Sequence, residues 1–387
     1  MSIKVTMLGH KVVPSRRGGI ETVLTTLCPL LAERGIDVTC RNRSSDRIEN
    51  EYVGTVVDGK YKGVKIKTAF TVNLRGFSAV IAAFSAAFAT AFSDCDIAHF
   101  HAEGPCAAMR ITKLFGKKCV ATVHGLDWQR EKWKGGFASR FIKYGERTLV
   151  KYADEIIVLS ESAQRYFLDA YGRETVIIPN GAPTPVFREA DIITERYGLE
   201  KDSYICTVSR LTAEKGVHYL IDAYLSVKDR LGKKLVIAGD ASDTDDYAAE
   251  LRRMANNDPD IIFTGFVSGD ELYEIYSNAY AVCLASDMEG MAMGLLEALA
   301  YGNAVLCSDI PENTSVAEEN AVYFAKGDRA DLAEKLEFMC AAGAEEVQRL
   351  KNTSEKYIRE KYDWKRIADK TREAYERLVN DLRQVRR

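Results

Sequence analysis

Short runs of β-branched residues alternate with helix-spaced segments along nearly the whole chain, and the alternation stops and restarts once, around the prolines at 179, 183 and 185. The first stretch opens with IKVTML, then ETVLTTLCPLLAERG with apolar residues at helical spacing, then DVTCRN, a βαβ pattern. DIAHFH, KCVATVHG, EIIVLS and TVIIPNG follow, each short, apolar and bounded by Gly, Asp or Asn, as strands buried on both faces of a parallel sheet should be. After IIPNGAPTPVF the pattern begins again with YICTVSR, VHYLIDAYLSVKDRLG, KLVIAG, DYAAELRRMANN, IIFTGF, DELYEIYSNA, AVCLAS, GLLEALAYG and NAVLCS. Proline fixes φ and removes an amide donor, so the stretch 179–185 reads as a linker. The pattern predicts an α/β protein of two doubly wound parallel-sheet domains, 1–182 and 183–364, with the carboxyl ends of both sheets around one cleft. A long charged helix follows in DWKRIADKTREAYERLVNDLRQVRR. In open parallel sheets ligands bind beyond the carboxyl ends of the strands, so the residues just after each run are the functional candidates.

Size and composition agree with two domains. The 387 residues are about twice a typical domain, and 47% hydrophobic with 28% charged residues excludes a disordered or fibrous chain. The net charge of −3 hides an asymmetry: residues 1–182 hold 26 basic and 18 acidic residues, leaving the remainder strongly acidic. A basic lobe suggests an anionic partner, either a membrane surface or a phosphorylated ligand; scatter over two solvated surfaces is the plainer alternative. Nothing points to nucleic acid. The nine cysteines form no C-x-x-C pair, which argues against a zinc or redox site and fits a reducing cytoplasm. The N-terminus shows no long apolar stretch, so no signal peptide is expected. Residues 77–92, FSAVIAAFSAAFATAF, carry no charge but are too few to span a bilayer. They read as a buried helix or as an interfacial helix docking on a membrane.

Three loops carry candidate chemistry. GHKVVPSRRGGIE places Gly18 and Gly19 at a helix start, where small residues let backbone amides approach a phosphate. It is not G-x-G-x-x-G, which weakens a dinucleotide-dependent oxidoreductase. SRLTAEKG carries Arg210 and Lys215, two cations at a strand end able to grip adjacent phosphates of a diphosphate. ASDMEGMAMGLLEALAYG carries Glu289 before a helix and Glu297 within it; eight residues at 3.6 per turn set the two carboxylates about 80° apart, serving different parts of one ligand. A carboxylate can accept both hydrogen bonds of a vicinal diol, and the amides of Gly290, Met291 and Ala292 can hold an anionic or hydroxylated group between them. His99 and His101 alternate in AHFHAEG and His124 ends a strand in ATVHGLDW. No third ligand has a metal-binding spacing, so no metal is assigned, and His101 is expected to bond a sugar hydroxyl or backbone. The string Asp94-Cys95-Asp96 precedes its strand, away from the ligand edge.

Together GGIE, ATVHGLDW, IIPNG, VSRLTAEKG, FTGF and EGMAMGLLE resemble the retaining glycosyltransferases of family 4, which have the GT-B fold of two facing Rossmann-like domains. The two glutamates seven residues apart, preceded by R-x-x-x-x-K, are the most specific part. GHKVVPSRRGGIETV and HGLDWQREKW look most like bacterial enzymes of capsular and exopolysaccharide synthesis, some of them rhamnosyltransferases.

The resemblance implies a metal-independent hexosyl- or deoxyhexosyltransferase with a nucleotide diphosphate sugar as donor, UDP preferred, and a glycan or lipid-linked glycan as acceptor. It implies that Arg210 and Lys215 bind the donor diphosphate, Glu297 the ribose and Glu289 the transferred sugar, with the amides of Gly290 to Met293 beside it. It sets the base near Gly265 and Phe266, Gly19 near the phosphate, His124 near the reacting carbon and Asp127 toward the acceptor. It returns the tail from about residue 365 to the first domain. It implies no cofactor, and a cytoplasmic protein peripheral to the inner membrane. Ala292 stands where many members have Gly, so the donor sugar is not inherited from any one relative. A GT-B nucleotide-sugar 2-epimerase and a non-catalytic nucleotide-sugar binding protein are the alternatives.

Overall fold

The computed structural model describes residues 2–72, 77–126, 136–241 and 246–385, which fall into two compact units, Met1–Gly181 with Trp364–Arg387 and Ala182–Asp363.

In the first unit the strands are β1 (Lys4–Leu8), β2 (Asp37–Arg43), β3 (Val56–Val57), β4 (Lys60–Tyr61), β5 (Val64–Ala69), β6 (Ile97–His101), β7 (Lys118–Val123), β8 (Glu155–Val158) and β9 (Val176–Ile177). They form one sheet in the order β3-β4-β5-β2-β1-β6-β7-β8-β9. From β5 to β9 every pairing is parallel, and β3-β4-β5 add an antiparallel edge that the pattern of the sequence did not announce. Strands β3 and β4 are each two residues long, too short for alternation to register. The core holds Leu8, Ala98, Phe100, Ala121, Val158 and Phe167 among others. The helix Gly19–Glu33 packs against the final helix Trp364–Val385. Arg34 anchors that contact: its Nε donates to Asp369 Oδ1 at 2.7 Å and its Nη2 to the Lys365 carbonyl at 2.9 Å.

The second unit holds β10 (Tyr204–Val208), β11 (Lys234–Ala238), β12 (Ile261–Gly265), β13 (Ala281–Leu284), β14 (Ala304–Ser308) and β15 (Val322–Phe324), all parallel, in the order β12-β11-β10-β13-β14-β15. Counted within the unit this is 3-2-1-4-5-6, the order of a doubly wound nucleotide-binding sheet. Its chain reversal lies between β10 and β13, where ligands of such sheets bind. Leu220, Ile221, Tyr224, Leu235, Ile237, Leu306 and Leu332 fill the space between sheet and helices.

Residues 77–92 correspond to the helix Ser78–Ala91, buried on one side and exposed on the other. Ala82, Ala83, Ala86, Ala87, Thr90 and Ala91 face the core, whereas Phe84, Phe88 and Phe92, spaced at i, i+4 on the opposite side, are exposed. Among the described residues no helix is long and apolar enough to cross a membrane.

Candidate functional site

The loops that leave β10 and β13 flank the reversal point of the second unit, and their backbones are pressed together. Gly216 has φ +62°, and a Cβ there would collide with the Ala285 carbonyl. A Cβ on Gly239 would collide with the carbonyl of Ser209. Asp287 N donates to the Glu214 carbonyl at 2.9 Å, fastening one loop to the other. Glycine at 216 is therefore required by conformation and by close approach together.

On this platform Lys215 Nζ lies 2.5 Å from Glu289 Oε1. Both side chains are mostly withdrawn from water, at 17% and 9% exposure. The same Glu289 oxygen accepts from Ser286 Oγ at 2.7 Å. Ser308 Oγ in turn donates to the Ser286 carbonyl at 2.6 Å, which fixes the start of that loop. Arg210 is half-buried at the end of β10, and its side chain has no ion pair among the described residues. The chain thus brings Arg210, Lys215 and Glu289 to the edge where the doubly wound order places a ligand.

Glu297 lies in the helix Met293–Ala300 and its Oε2 accepts from the buried Tyr276 hydroxyl at 3.1 Å. The helix starts at Met293 with Ala292 as its cap, so residues 289–292 are not helical. This corrects the rotation of about 80° expected between the two glutamates, because the loop, not a helix, sets the direction of Glu289. Gly290 lies in the loop, Met291 and Ala292 are buried, and the helix's first amides belong to Met293 and Gly294. Gly265 has φ +73° at the end of β12 and Phe266 after it is 45% exposed.

In the first unit, the loop after β1 is pinned by carboxylates and an amide. Glu21 Oε1 accepts from Lys11 N at 2.7 Å, Ser15 Oγ donates to Glu49, and Asn42 Oδ1 accepts from Val13 N at 3.0 Å. The two glycines of that loop differ. A Cβ on Gly18 would strike the Glu21 carboxylate, whereas Gly19 is exposed with no atom within 4 Å of a Cβ position. Among the described residues nothing demands glycine at 19.

His101 and His124 stand at the ends of β6 and β7, with His101 Nδ1 3.0 Å from His124 Nε2. His101 is 1% exposed, so the sequence expectation of a ring reaching a sugar hydroxyl meets a ring that instead faces another histidine. His99, on the same face of β6, stacks on it at 4.3 Å between ring centroids and bonds Tyr375 and Thr122. Burial holds His99 down to about 3, His10 down to about 4 and His101 well below its ordinary range. Sequence reasoning missed the His101–His124 pair because their strands are joined by register and not by spacing. Asp127 lies outside the described residues. Asp94 and Asp96 sit at the amino end of β6, where they bond Lys4 through its ammonium and amide. Among the described residues no three His, Cys, Asp or Glu side chains are gathered to hold a metal ion.

Comparison with known proteins covers both units. Residues 17–184 match the model of Glycosyltransferase Family 4, and residues 190–357 that of Glycosyl transferases group 1. An uncharacterized glycosyltransferase of Methanocaldococcus jannaschii is 32% identical over 182 residues, 46% of each chain, so the match spans about half of that relative. The sucrose-phosphate synthase of Thermosynechococcus elongatus superposes with TM-score 0.82 at 18% identity, covering 98% of this chain and 100% of that one. The Anabaena HepE protein, solved in complex with UDP-glucose, superposes with TM-score 0.78 at 16% identity over 97% of this chain and 99% of its own. With a parallel α/β sheet in each unit, the GT-B fold shared with those structures and a glycosyltransferase model matching each unit, the chain belongs to the GT-B glycosyltransferases.

Proposed function

We propose that the protein transfers a sugar from a nucleotide diphosphate sugar, with UDP as the preferred nucleotide, to a glycan or lipid-linked glycan acceptor, with retention of the anomeric configuration. The observation that carries this reading is the Lys215–Glu289 pair at the reversal point of the second unit, with Arg210 at the end of β10 and Glu297 in the helix that follows. Two cations at a strand end suit a diphosphate. A carboxylate held by a tyrosine hydroxyl keeps acceptor capacity for a ribose diol. Glu289 binds the transferred sugar's hydroxyls, beside the backbone of Gly290, Met291, Ala292 and Met293. The base packs near Gly265 and Phe266, which is exposed enough to stack. UDP is supported by the UDP-glucose complex of HepE. The first unit supplies Gly18 and Gly19, whose open Cβ position at 19 leaves room for an anion at the helix start. It also supplies His124, backed by His101, near the reacting carbon, and Asp127 toward the acceptor.

In the reaction, the bond from the anomeric carbon to the donor phosphate oxygen breaks, and the nucleotide diphosphate leaves with the electron pair. The acceptor oxygen bonds to that carbon on the face the leaving group vacates, and its proton passes to the departing phosphate oxygen. Arg210 and Lys215 stabilise the negative charge as it grows there, an electrostatic contribution from groups already in place. No step calls on a metal ion.

A role in bacterial surface polysaccharide synthesis, such as capsule, with a rhamnosyl or similar sugar, follows the resemblance of the GGIE and HGLDW segments. Peripheral attachment to the cytoplasmic face of the membrane is supported by two features of the first unit: it carries 34 basic and 22 acidic residues, and its phenylalanines Phe88, Phe92 and Phe115 form an exposed row with centroids 4.9 and 4.6 Å apart. Incubation with labelled UDP-sugars and lipid-linked or free glycan acceptors tests the reading. A glycoside with the donor's anomeric configuration is the expected product; an epimerised free nucleotide sugar, formed without acceptor, would establish the epimerase instead.

A further inference from the structure

His101 is a fully enclosed imidazole whose polar partner among the described residues is another imidazole. Its Nδ1 faces His124 Nε2 at 3.0 Å, and its Nε2 is buried without a hydrogen-bond partner among the described residues. The ring is clamped from the other side by His99, stacked at 4.3 Å, and His99 is itself fixed at both nitrogens, to the Tyr375 hydroxyl at 2.6 Å and to Thr122 Oγ1 at 2.7 Å. Tyr375 is wholly buried in the final helix, so the clamp runs from that helix through β6 to the end of β7. Beside the rings lies a cavity of about 20 Å³, lined by His99, His101, Thr122, His124, Asn180 and Trp364, enough for one water.

We propose that His101 is the positioning residue for His124, holding that ring in one orientation and one tautomer through the contact of its Nδ1 with His124 Nε2. The role rests on the reading that His124 stands near the transferred sugar. Two uncharged imidazoles can share the contact only as one donor and one acceptor, so fixing the proton on one ring fixes it on the other. The titratable groups that face His101 are His99 on its own strand, His124 after β7 and His10 after β1, and all three oppose its protonation. Glu103, two residues further on, is buried. Burial first, and these neighbouring imidazoles after it, hold the His101 ring well below the ordinary histidine range.

The direct test is nitrogen-15 NMR of the protein labelled at its five histidines at neutral pH. In the wild type, His124 should show one pyrrole-like and one pyridine-like nitrogen. In His101→Leu the two shifts should average toward each other. A second variant, His101→Asn, offers an amide near the place of Nδ1 and should restore part of the splitting. If transfer activity is present, His101→Leu should lower kcat by about tenfold or more with KM for the donor within about twofold, and His101→Asn should recover part of the loss. Unsplit His124 nitrogens in the wild type, or a His124 spectrum indifferent to His101→Leu in a variant that still binds nucleotide, would overturn the proposal. An absence of transfer with every donor and acceptor would overturn the functional reading and leave the spectroscopic result to decide the His101–His124 pairing by itself.

Discussion

Lys215 and Glu289, 74 residues apart in sequence, form an ion pair of 2.5 Å that ties the loop after β10 to the loop after β13. Each group is in part the reason the other can be withdrawn from water, since an uncompensated buried charge is costly. The pair also puts the cation and the sugar-side carboxylate of the proposed site in direct contact, so neither acts independently.

A double-mutant cycle should show that coupling. Lys215→Met and Glu289→Gln are each expected to cost about 1–3 kcal/mol of unfolding free energy, and the double variant less than the sum of the two. Urea unfolding of the four proteins measures it; strict additivity would mean that the pair contributes no coupling.

The two glutamates should divide the labour. Glu297→Ala is expected to weaken nucleotide binding by about 1–3 kcal/mol, because ribose hydroxyls and the Tyr276 hydroxyl lose their acceptor. Glu289→Ala should leave nucleotide affinity within a few-fold of wild type and reduce turnover. Calorimetric titration with UDP alongside steady-state rates separates the two, and equal UDP affinity for wild type and Glu297→Ala would contradict the division.

Stability should fall steeply in mild acid. The buried rings of His10, His99 and His101 stay unprotonated in the folded protein well below the pH at which unfolded histidines take up a proton, about 6.5. The unfolded state therefore binds more protons, and stability present in full above pH ~6.5 is lost as pH drops toward about 4, where His10 itself titrates. With three such rings the slope should approach roughly 4 kcal/mol per pH unit. Denaturant midpoints between pH ~7.5 and ~4.5 test this; a flat profile would show that these histidines are protonated in the fold.

The exposed phenylalanine row gives a membrane prediction. Phe88→Ser with Phe92→Ser removes two side chains that are 57% and 63% exposed, so unfolding free energy should change by less than about 1 kcal/mol. Binding to vesicles rich in anionic lipid should weaken by about tenfold or more, because each inserted ring contributes roughly 1.5–3 kcal/mol. Sedimentation with vesicles is the readout, and unchanged binding would remove this face from the membrane reading.

The architecture was largely legible in the residues. Continuous apolar runs such as KLVIA and AVLCS became parallel strands β11 and β14, because strands covered on both faces leave a strong signature. The edge pairs Val56–Val57 and Lys60–Tyr61 left none, being two residues each. At the site, loop position followed from strand ends, but side-chain partnership did not. That Lys215 meets Glu289, that the helix after Glu289 begins only at Met293, and that His101 faces His124 all depend on how separate loops and strands register in space. Residue spacing reports position along one element and is silent on contacts between two.

The central claim, that the second unit binds a nucleoside diphosphate through Arg210, Lys215 and Glu297, is tested most directly by thermal shift with UDP, GDP, dTDP, CMP and NAD, with and without EDTA, for wild type and Arg210→Ala. A ligand that binds only the folded state raises its melting temperature by mass action. The account predicts stabilisation by a nucleoside diphosphate, UDP first, unaffected by EDTA and largely lost in Arg210→Ala. No shift with any diphosphate, a shift with NAD alone, or an undiminished UDP shift in Arg210→Ala would contradict it.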